Sequence, residues 1–453
     1  MRFFIKGAGE EMAAISMVVD NIISTNFGDL PNNIVNESKL CLLDWLGVCL
    51  AGSGNPIIDI LMKVYNSNGE NHIIGHSGKK TSVLDSALLN GTASHVMDYD
   101  DVNMSFKGHL STVIFPAIFA LADGGEISGK ELLTSFITGY EAAVRISLAA
   151  TEAHYKRGWH STSTIGNFAS VIAAGKLSGL TKIEFENALG IAGTLSSGLQ
   201  ISFGTMCKPF HAGNASRNGL IALMLAKEGF TGSRDIFESD SGFFNVFSGS
   251  PLIEELTKAW GRKWHILDNQ YKIFPSCFQT HASVVAVLRI LKKNSELAGR
   301  IEKIMIEVNP VTAKLVSKLN PLTGNECRFS VEYCVSNIVI NNSLTMTQFN
   351  EDAIHNNKVR KFMQKITVNP NEMYDLDEAA VTIYVADKNK VYKESVKMSS
   401  IKTDYKKNQF NIKNKYLELT DKIISEETNR EIITLIDKFE LLSDVNELIK
   451  LLI

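Results

Sequence analysis

Two stretches decide the fold: Thr164-Ile-Gly-Asn-Phe-Ala-Ser-Val-Ile-Ala-Ala-Gly-Lys-Leu177 and Lys182-Ile-Glu-Phe-Glu-Asn-Ala-Leu-Gly-Ile-Ala-Gly-Thr-Leu-Ser-Ser-Gly198. Their apolar positions recur at spacings of three and four, the period of an α-helix. Neither stretch has a proper polar face, and Gly166, Ala169, Ala173, Ala174, Ala188, Ala192 and Gly193 are small enough for helices to approach closely. A helix that is apolar nearly all round belongs at the centre of a large helical assembly. The same periodicity extends outward over 35–260. It predicts further helices over Ser38–Gly52, Ser82–Met97, Gly129–Ala150 and Ala215–Glu228, separated by Gly or Asp/Asn breaks.

Near 265–275 the texture changes. His265-Ile-Leu-Asp-Asn-Gln-Tyr-Lys-Ile-Phe-Pro275 reads as an extended connector, followed by a helix over His281–Lys292. Ile301–Val308 alternates like a strand, as do Lys365–Val368, Ala380–Ala386 and Val391–Lys397, and helices are expected over Val331–Val339 and Glu351–Met363. Strands mixed with helices make an α+β unit. Past 400 the chain is polar and Lys-rich, then helical again over Leu417–Ile424 and Asn429–Phe439. The expected fold is therefore mainly α. A large helical domain is built from both chain ends, 1–265 and 400–453, with a smaller α+β domain inserted at 266–399.

Composition narrows the function. The 453 residues suit two to three domains at roughly 150 residues each. A formal net charge of −3 offers no basic field for nucleic acid. The six cysteines, at 41, 49, 207, 277, 327 and 334, form no C-x-x-C pair and read as reduced thiols of a cytoplasmic protein. The start, Met1-Arg-Phe-Phe-Ile-Lys, lacks the features of a signal peptide, because Glu10, Glu11 and Asp20 flank its short apolar run. The uncharged stretch 188–207 is about as long as a membrane span, but its Gly, Ser and Thr content and Gln200 fit a buried helix pair better than lipid. No membrane or nucleic-acid partner is expected.

Four polar islands interrupt the apolar helices. The first is His95-Val-Met-Asp98-Tyr-Asp100-Asp101, continuing to Lys107-Gly-His109. On a helix, His95 and Asp98 would share a face, and the carboxylates would hold an imidazole in one tautomer and raise its pKa. Helix capping is the plainer use of such an Asp cluster. The second is Tyr155-Lys-Arg-Gly158-Trp-His160-Ser-Thr-Ser-Thr164, which puts His160 at a helix N-terminus, where the dipole lowers its pKa and favours bound anions; a capping loop with a buried histidine is the alternative. The third is Gly204-Thr-Met-Cys-Lys208-Pro-Phe-His211-Ala-Gly213. A lysine in the least charged part of the chain points to an anionic ligand or to a buried carboxylate partner, and the ligand is the preferred reading. The fourth is Tyr271-Lys272-Ile-Phe-Pro-Ser-Cys277-Phe-Gln-Thr-His281, at the expected domain junction. Cys277 as a thiol nucleophile has no other support.

No metal motif, phosphate loop or G-x-S-x-G elbow is present, so neither a metal nor another cofactor is expected. Histidines, lysines and a carboxylate cluster without a metal suit a small polyanionic acid. Lysines hold carboxylates as point charges, histidines move protons near neutral pH, and fixed cations stabilise charge that develops beside a carboxylate.

Leu42-Leu-Asp-Trp-Leu-Gly-Val48, Asn90-Gly-Thr-Ala-Ser-His95-Val-Met-Asp98-Tyr-Asp-Asp101, Gly158-Trp-His160, Ala188-Leu-Gly-Ile-Ala-Gly-Thr194, Lys208-Pro-Phe-His211-Ala-Gly213 and Lys272-Ile-Phe-Pro-Ser-Cys277 resemble the motifs of the MmgE/PrpD family in order and spacing. That family includes 2-methylcitrate dehydratase, cis-aconitate decarboxylase and iminodisuccinate epimerase. The resemblance implies a helical large domain, an α+β lid, a homodimer and no metal or organic cofactor. Motif by motif, it places the active site on Asp98, His109, His160, Lys208 and Lys272. One departure stands out: Val102 and Asn103 follow the paired aspartates, where the family often has Thr or Val and then His.

The expectation is a cofactor-independent lyase, dehydratase or decarboxylase, acting on a di- or tricarboxylic acid. Lys208 and Lys272 would anchor carboxylates. His160 would be the main acid/base, His109 a second proton donor or carboxylate binder, and Asp98 would orient a histidine or touch substrate. The alternatives are an epimerase that removes and returns one proton and, more remotely, a non-catalytic carboxylate-binding protein.

Overall fold

A computed structural model describes residues 13–387, 390–401 and 404–453. The signal-peptide reading of the first residues lies outside them. The protein is mainly α. Local chemistry starts the helices where expected. Ser82 caps Val83–His95, and Ser128 with Glu131 and Thr181 with Glu184 form capping boxes before Gly129–Lys156 and Lys182–Thr194. Gly166–Leu177 is buried almost throughout.

Close approach explains the small residues. The helices Val83–His95 and Cys207–Lys227 cross at Gly91 and Gly213, where a Cβ on Gly213 would lie 2.1 Å from the Leu88 carbonyl oxygen. One hydrophobic core draws on residues 14–266 and again on 412–452. Aromatic contacts at its centre include Phe115 stacked on Phe136 at 4.0 Å and Trp45 at 5.3 Å from Phe115.

A second core draws mainly on 277–398. Its sheet has the order Ile366–Pro370, Ile301–Val308, Glu378–Val385, Val391–Lys397, parallel at the first pair and antiparallel at the others. Ile304, Ile306 and Val308 alternate inward as a half-buried strand requires. The helix Phe278–Lys293 packs on Glu378–Val385 and Val391–Lys397, with Val331–Asn341 beside it. Between the two cores, Val102–Asn103 pairs antiparallel with Asn269–Gln270.

Several expectations change in detail. The helix expected over Ser82–Met97 ends at His95, so Asp98 lies in a turn and not on the helix face. The long helix continues past Ala150 to Lys156, through a break at Thr151 with φ +60°. The helix expected over Glu351–Met363 divides into Glu351–Ile354 and Asn357–Met363, because the Asn356 side chain caps the second piece. The connector at 265–275 holds a 3-10 turn and a short strand. The Lys-rich stretch is a helix, Tyr405–Thr420, capped by Asp404. Its lysines mostly face water while Ile412, Tyr416 and Thr420 form the stripe against Asn32–Ser53. The uncharged stretch 188–207 is not a helix pair: the first helix stops at Thr194, the next begins only at Cys207, and between them the chain is irregular but for a 3-10 turn at Gln200–Ser202, with Leu199, Ile201 and Met206 exposed. No single helix among the described residues is long and apolar enough to cross a membrane.

Candidate active site

The turn after Val83–His95 brings the first island together. The Asp98 N–H donates to the His95 carbonyl at 3.1 Å, and Asp98 itself adopts φ +50°, a left-handed conformation that aspartate tolerates. Its carboxylate is the hub. Oδ1 accepts from Lys208 Nζ at 2.8 Å and from Lys272 Nζ at 2.5 Å, and Lys272 also donates to the Asp98 carbonyl at 2.8 Å. Oδ2 is buried without a hydrogen-bond partner among the described residues.

Lys208 sits in the first turn of Cys207–Lys227, before Pro209, which is compatible with a helix start. Its ammonium donates to Asp98 and to His95 Nε2 at 2.9 Å. A lysine has three N–H donors, so one remains for the cavity that Lys208 lines. The Phe203 and Phe329 rings flank the same ammonium at 5.6 and 5.4 Å.

His95 Nδ1 lies 2.8 Å from Asp100 Oδ2. His109 Nδ1 lies 2.7 Å from the Asp101 carbonyl oxygen and 3.1 Å from Asp100 Oδ2. A carbonyl only accepts, so Nδ1 of His109 carries the proton and Nε2 is the free acceptor, 4.0 Å from Asp98 Oδ1. His160 caps the short helix Ser161–Thr164, after Gly158 at φ +95°, and its Nδ1 meets His211 Nδ1 at 3.1 Å. The His95 and His109 rings are 4.6 Å apart, and His95 and His160 6.4 Å.

Electrostatics here follow from burial against charge. Burial would raise the Asp98 carboxyl, but Lys208, Lys272 and the neighbouring histidines outweigh it and hold it well below the usual carboxylate range. Asp100 is likewise held low, with His109 and His95 overcoming burial. The rise expected for an imidazole beside the Asp cluster does not occur, whereas His160 is lowered as its helix N-terminal place implies. Burial pushes His95 down to about 3, with Lys208 assisting and Asp100 opposing. Burial also lowers His109, and lowers His160 well below its ordinary value, the latter with help from His211 and Lys208. The imidazoles of this cluster are therefore neutral near pH 7. The Cys277 thiol is pushed up to about 12 by burial, which removes it as a thiolate nucleophile.

The five residues expected at the site, Asp98, His109, His160, Lys208 and Lys272, are thus brought into one cluster. Asp98, His109, His160 and Lys208 line a cavity of about 50 Å³. Lys272 is not among its lining residues; it stands behind Asp98, and its contacts are with the Asp98 carboxylate and carbonyl. Lys208, read from sequence as awaiting an anionic ligand, already has a carboxylate partner in Asp98.

The sequence reading of carboxylates that hold an imidazole corresponds to the His95–Asp100 contact, whereas His211 has no role in that reading. Spacing held one signal: His211 follows Lys208 by three residues in the same helix. One ligand atom each from His95, Asp100 and His109 lie within 4.8 Å of one another, a grouping that no sequence spacing suggested. Hydrogen bonds already engage both Nδ1 atoms and Asp100 Oδ2.

Comparison with known proteins identifies the family. The profile of the MmgE/PrpD N-terminal domain matches residues 18–256, and that of the MmgE/PrpD C-terminal domain matches 274–441. The chain is similar to cis-aconitate decarboxylase of Mus musculus, 28% identical over 447 residues, covering 93% of this chain and 90% of the relative. It is similar to cis-aconitate decarboxylase of Aspergillus terreus at 25% over 456 residues, covering 94% and 92%. It is also 26% identical over 455 residues to the cis-aconitate decarboxylase-like protein oryM of Aspergillus oryzae, covering 94% of each. With both profiles matching in order along most of its length, the chain belongs to the MmgE/PrpD family and is an enzyme of its lyase type.

Proposed function

We propose that the enzyme releases CO₂ from a small tricarboxylate such as cis-aconitate, without a cofactor. The observation that carries this reading is the cavity wall, which Lys208 shares with His109 and His160. The relatives' activity supports the choice of decarboxylation over dehydration or epimerisation.

In this mechanism the C–CO₂ bond breaks and its electron pair forms a new C=C bond. The pair of the old double bond comes to rest on the carbon beside a retained carboxylate. Lys208 binds that carboxylate and stabilises the charge it takes up. Asp98 and Lys272 hold Lys208 in place. Burial lowers His160, with His211 and Lys208 adding to it; a bound polyanion opposes this and raises its pKa towards the imidazolium. His160 then delivers a proton to the carbanion, and His109 Nε2 is a second proton carrier. The balance is substrate plus one proton giving product plus CO₂, with the proton drawn from solvent.

Three further readings belong to the proposal. The 266–399 unit serves as a lid over the larger domain made of 1–265 and 400–453. The chain acts as a homodimer. Its six free thiols suit a cytoplasmic protein.

A proton NMR time course in D₂O tests the reaction, with cis-aconitate and 2-methylcitrate in separate tubes and EDTA in parallel samples. The expected result is loss of the aconitate vinyl signal, growth of a terminal alkene and one deuterium in the product methylene, unchanged by EDTA. A new alkene from 2-methylcitrate alone would overturn decarboxylation in favour of dehydration. Silence in both tubes would overturn the tricarboxylate reading.

A further inference from the structure

The tight loop after Val102–Asn103 places an additional lysine on the cavity wall. Asn103 itself turns inward: its side chain donates to Tyr140 Oη and the His265 carbonyl and accepts from the Ser105 and Phe106 N–H groups. Backbone bonds between Asn103 and Gly108 close the loop, and Lys107 adopts φ +55° within it. Lys107 thereby lines the inner cavity with Asp98, His109, His160 and Lys208, and also an outer cavity of about 270 Å³.

The cations on these walls differ in their partners. Lys208 is bonded to Asp98 at 2.8 Å, Lys156 to Glu152 at 2.9 Å, and Lys397 to Asp375. Lys107 alone among these lysines makes no ion pair with any described carboxylate. Burial weakens its charged form, Glu152 opposes that, and Lys156 adds to it. A half-buried ammonium without a counter-ion is costly unless an anion arrives to pair with it.

Size points the same way. The inner cavity is narrow, about 50 Å³ against about 270 Å³ for the outer one. Lys107 lines both, so a tricarboxylate that reaches from Lys208 towards the outer cavity passes it.

We infer that Lys107 is a substrate-binding residue that takes the carboxylate farthest from Lys208, and so selects tricarboxylates over dicarboxylates. This rests on the carboxylate reading of the site.

Calorimetric binding of propane-1,2,3-tricarboxylate and of glutarate tests it without turnover, in the wild type, Lys107→Met and Lys107→Arg. A charge-assisted hydrogen bond lost from a bound carboxylate weakens binding by about tenfold or more. The expected result is that loss for the tricarboxylate in Lys107→Met, less than about twofold change for glutarate, and recovery in Lys107→Arg. Glutarate binding also reports that the variant's inner site is folded. Equal affinity of Lys107→Met and wild type for the tricarboxylate would overturn the assignment, as would equal weakening of both ligands. Absence of tricarboxylate binding by the wild type would instead overturn the carboxylate reading, and the assignment with it.

Discussion

Replacing Lys208 with methionine separates the anion clamp from the rest of the cluster. Methionine keeps much of the apolar stem between Phe203 and Phe329 and removes the ammonium. Asp98 retains Lys272 at 2.5 Å, so its carboxylate is not left alone. An ammonium and a carboxylate at roughly 4 Å, with an effective dielectric of about 20, attract by about 4 kcal/mol. At about 1.4 kcal/mol per factor of ten, losing that attraction in the transition state lowers kcat/KM close to a thousandfold. The variant should melt cooperatively and keep its helical circular dichroism. The assay is the D₂O time course with cis-aconitate, at enzyme concentrations raised until product appears. Activity within tenfold of wild type, in a folded Lys208→Met protein, would refute the clamp.

Lys272→Met acts differently, because Lys272 touches Asp98 and not the cavity; Asp98 keeps Lys208 at 2.8 Å, so the loss of stability in urea denaturation should stay below the about 3–5 kcal/mol of an uncompensated buried charge. Its activity should fall through kcat more than KM, and a pure KM effect would contradict the positioning role. Gly213→Ala drives a methyl into the Leu88 carbonyl at the central helix crossing, so a loss of at least about 1–3 kcal/mol is expected, read from the denaturation midpoint. Glu37 gives a pH test. Burial raises its carboxyl to about 7 while Tyr271 opposes, so the folded protein binds an extra proton between the unfolded value near 4.5 and about 7. Its stabilising share is therefore present below pH 4.5 and lost as pH rises through about 7. Glu37→Gln should gain stability over wild type at pH 8 relative to pH 5, and a pH-independent difference would contradict the assignment.

Much of this architecture was legible in the residue order. Helical periodicity, small residues on apolar helices and capping signals are local, so they predict helices such as Gly166–Leu177 and Lys182–Thr194 closely. Strand alternation located Ile301–Val308 and Val391–Lys397 for the same reason. Helix ends were less legible at His95 and Asn356, where a few side-chain and backbone hydrogen bonds decide the boundary. The polar islands were legible because ionisable groups are rare in apolar helical sequence.

By itself, then, the sequence determined the helical class, the α+β stretch and the residue types available for chemistry, since each depends on near neighbours in the chain. Tertiary structure alone decided what those residues do. It joined Asp98 to Lys208 and to Lys272, more than a hundred positions away, and turned two apparent clamps into one lysine at the cavity and one behind it. It carried Lys415, from the last helices, to Asp44 and the Tyr99 carbonyl behind the same turn. It also reversed the direction expected for His95 beside the Asp cluster, because the cost of burying charge is set by how deeply the fold encloses a group, and neither depth nor long-range charge is written in local spacing.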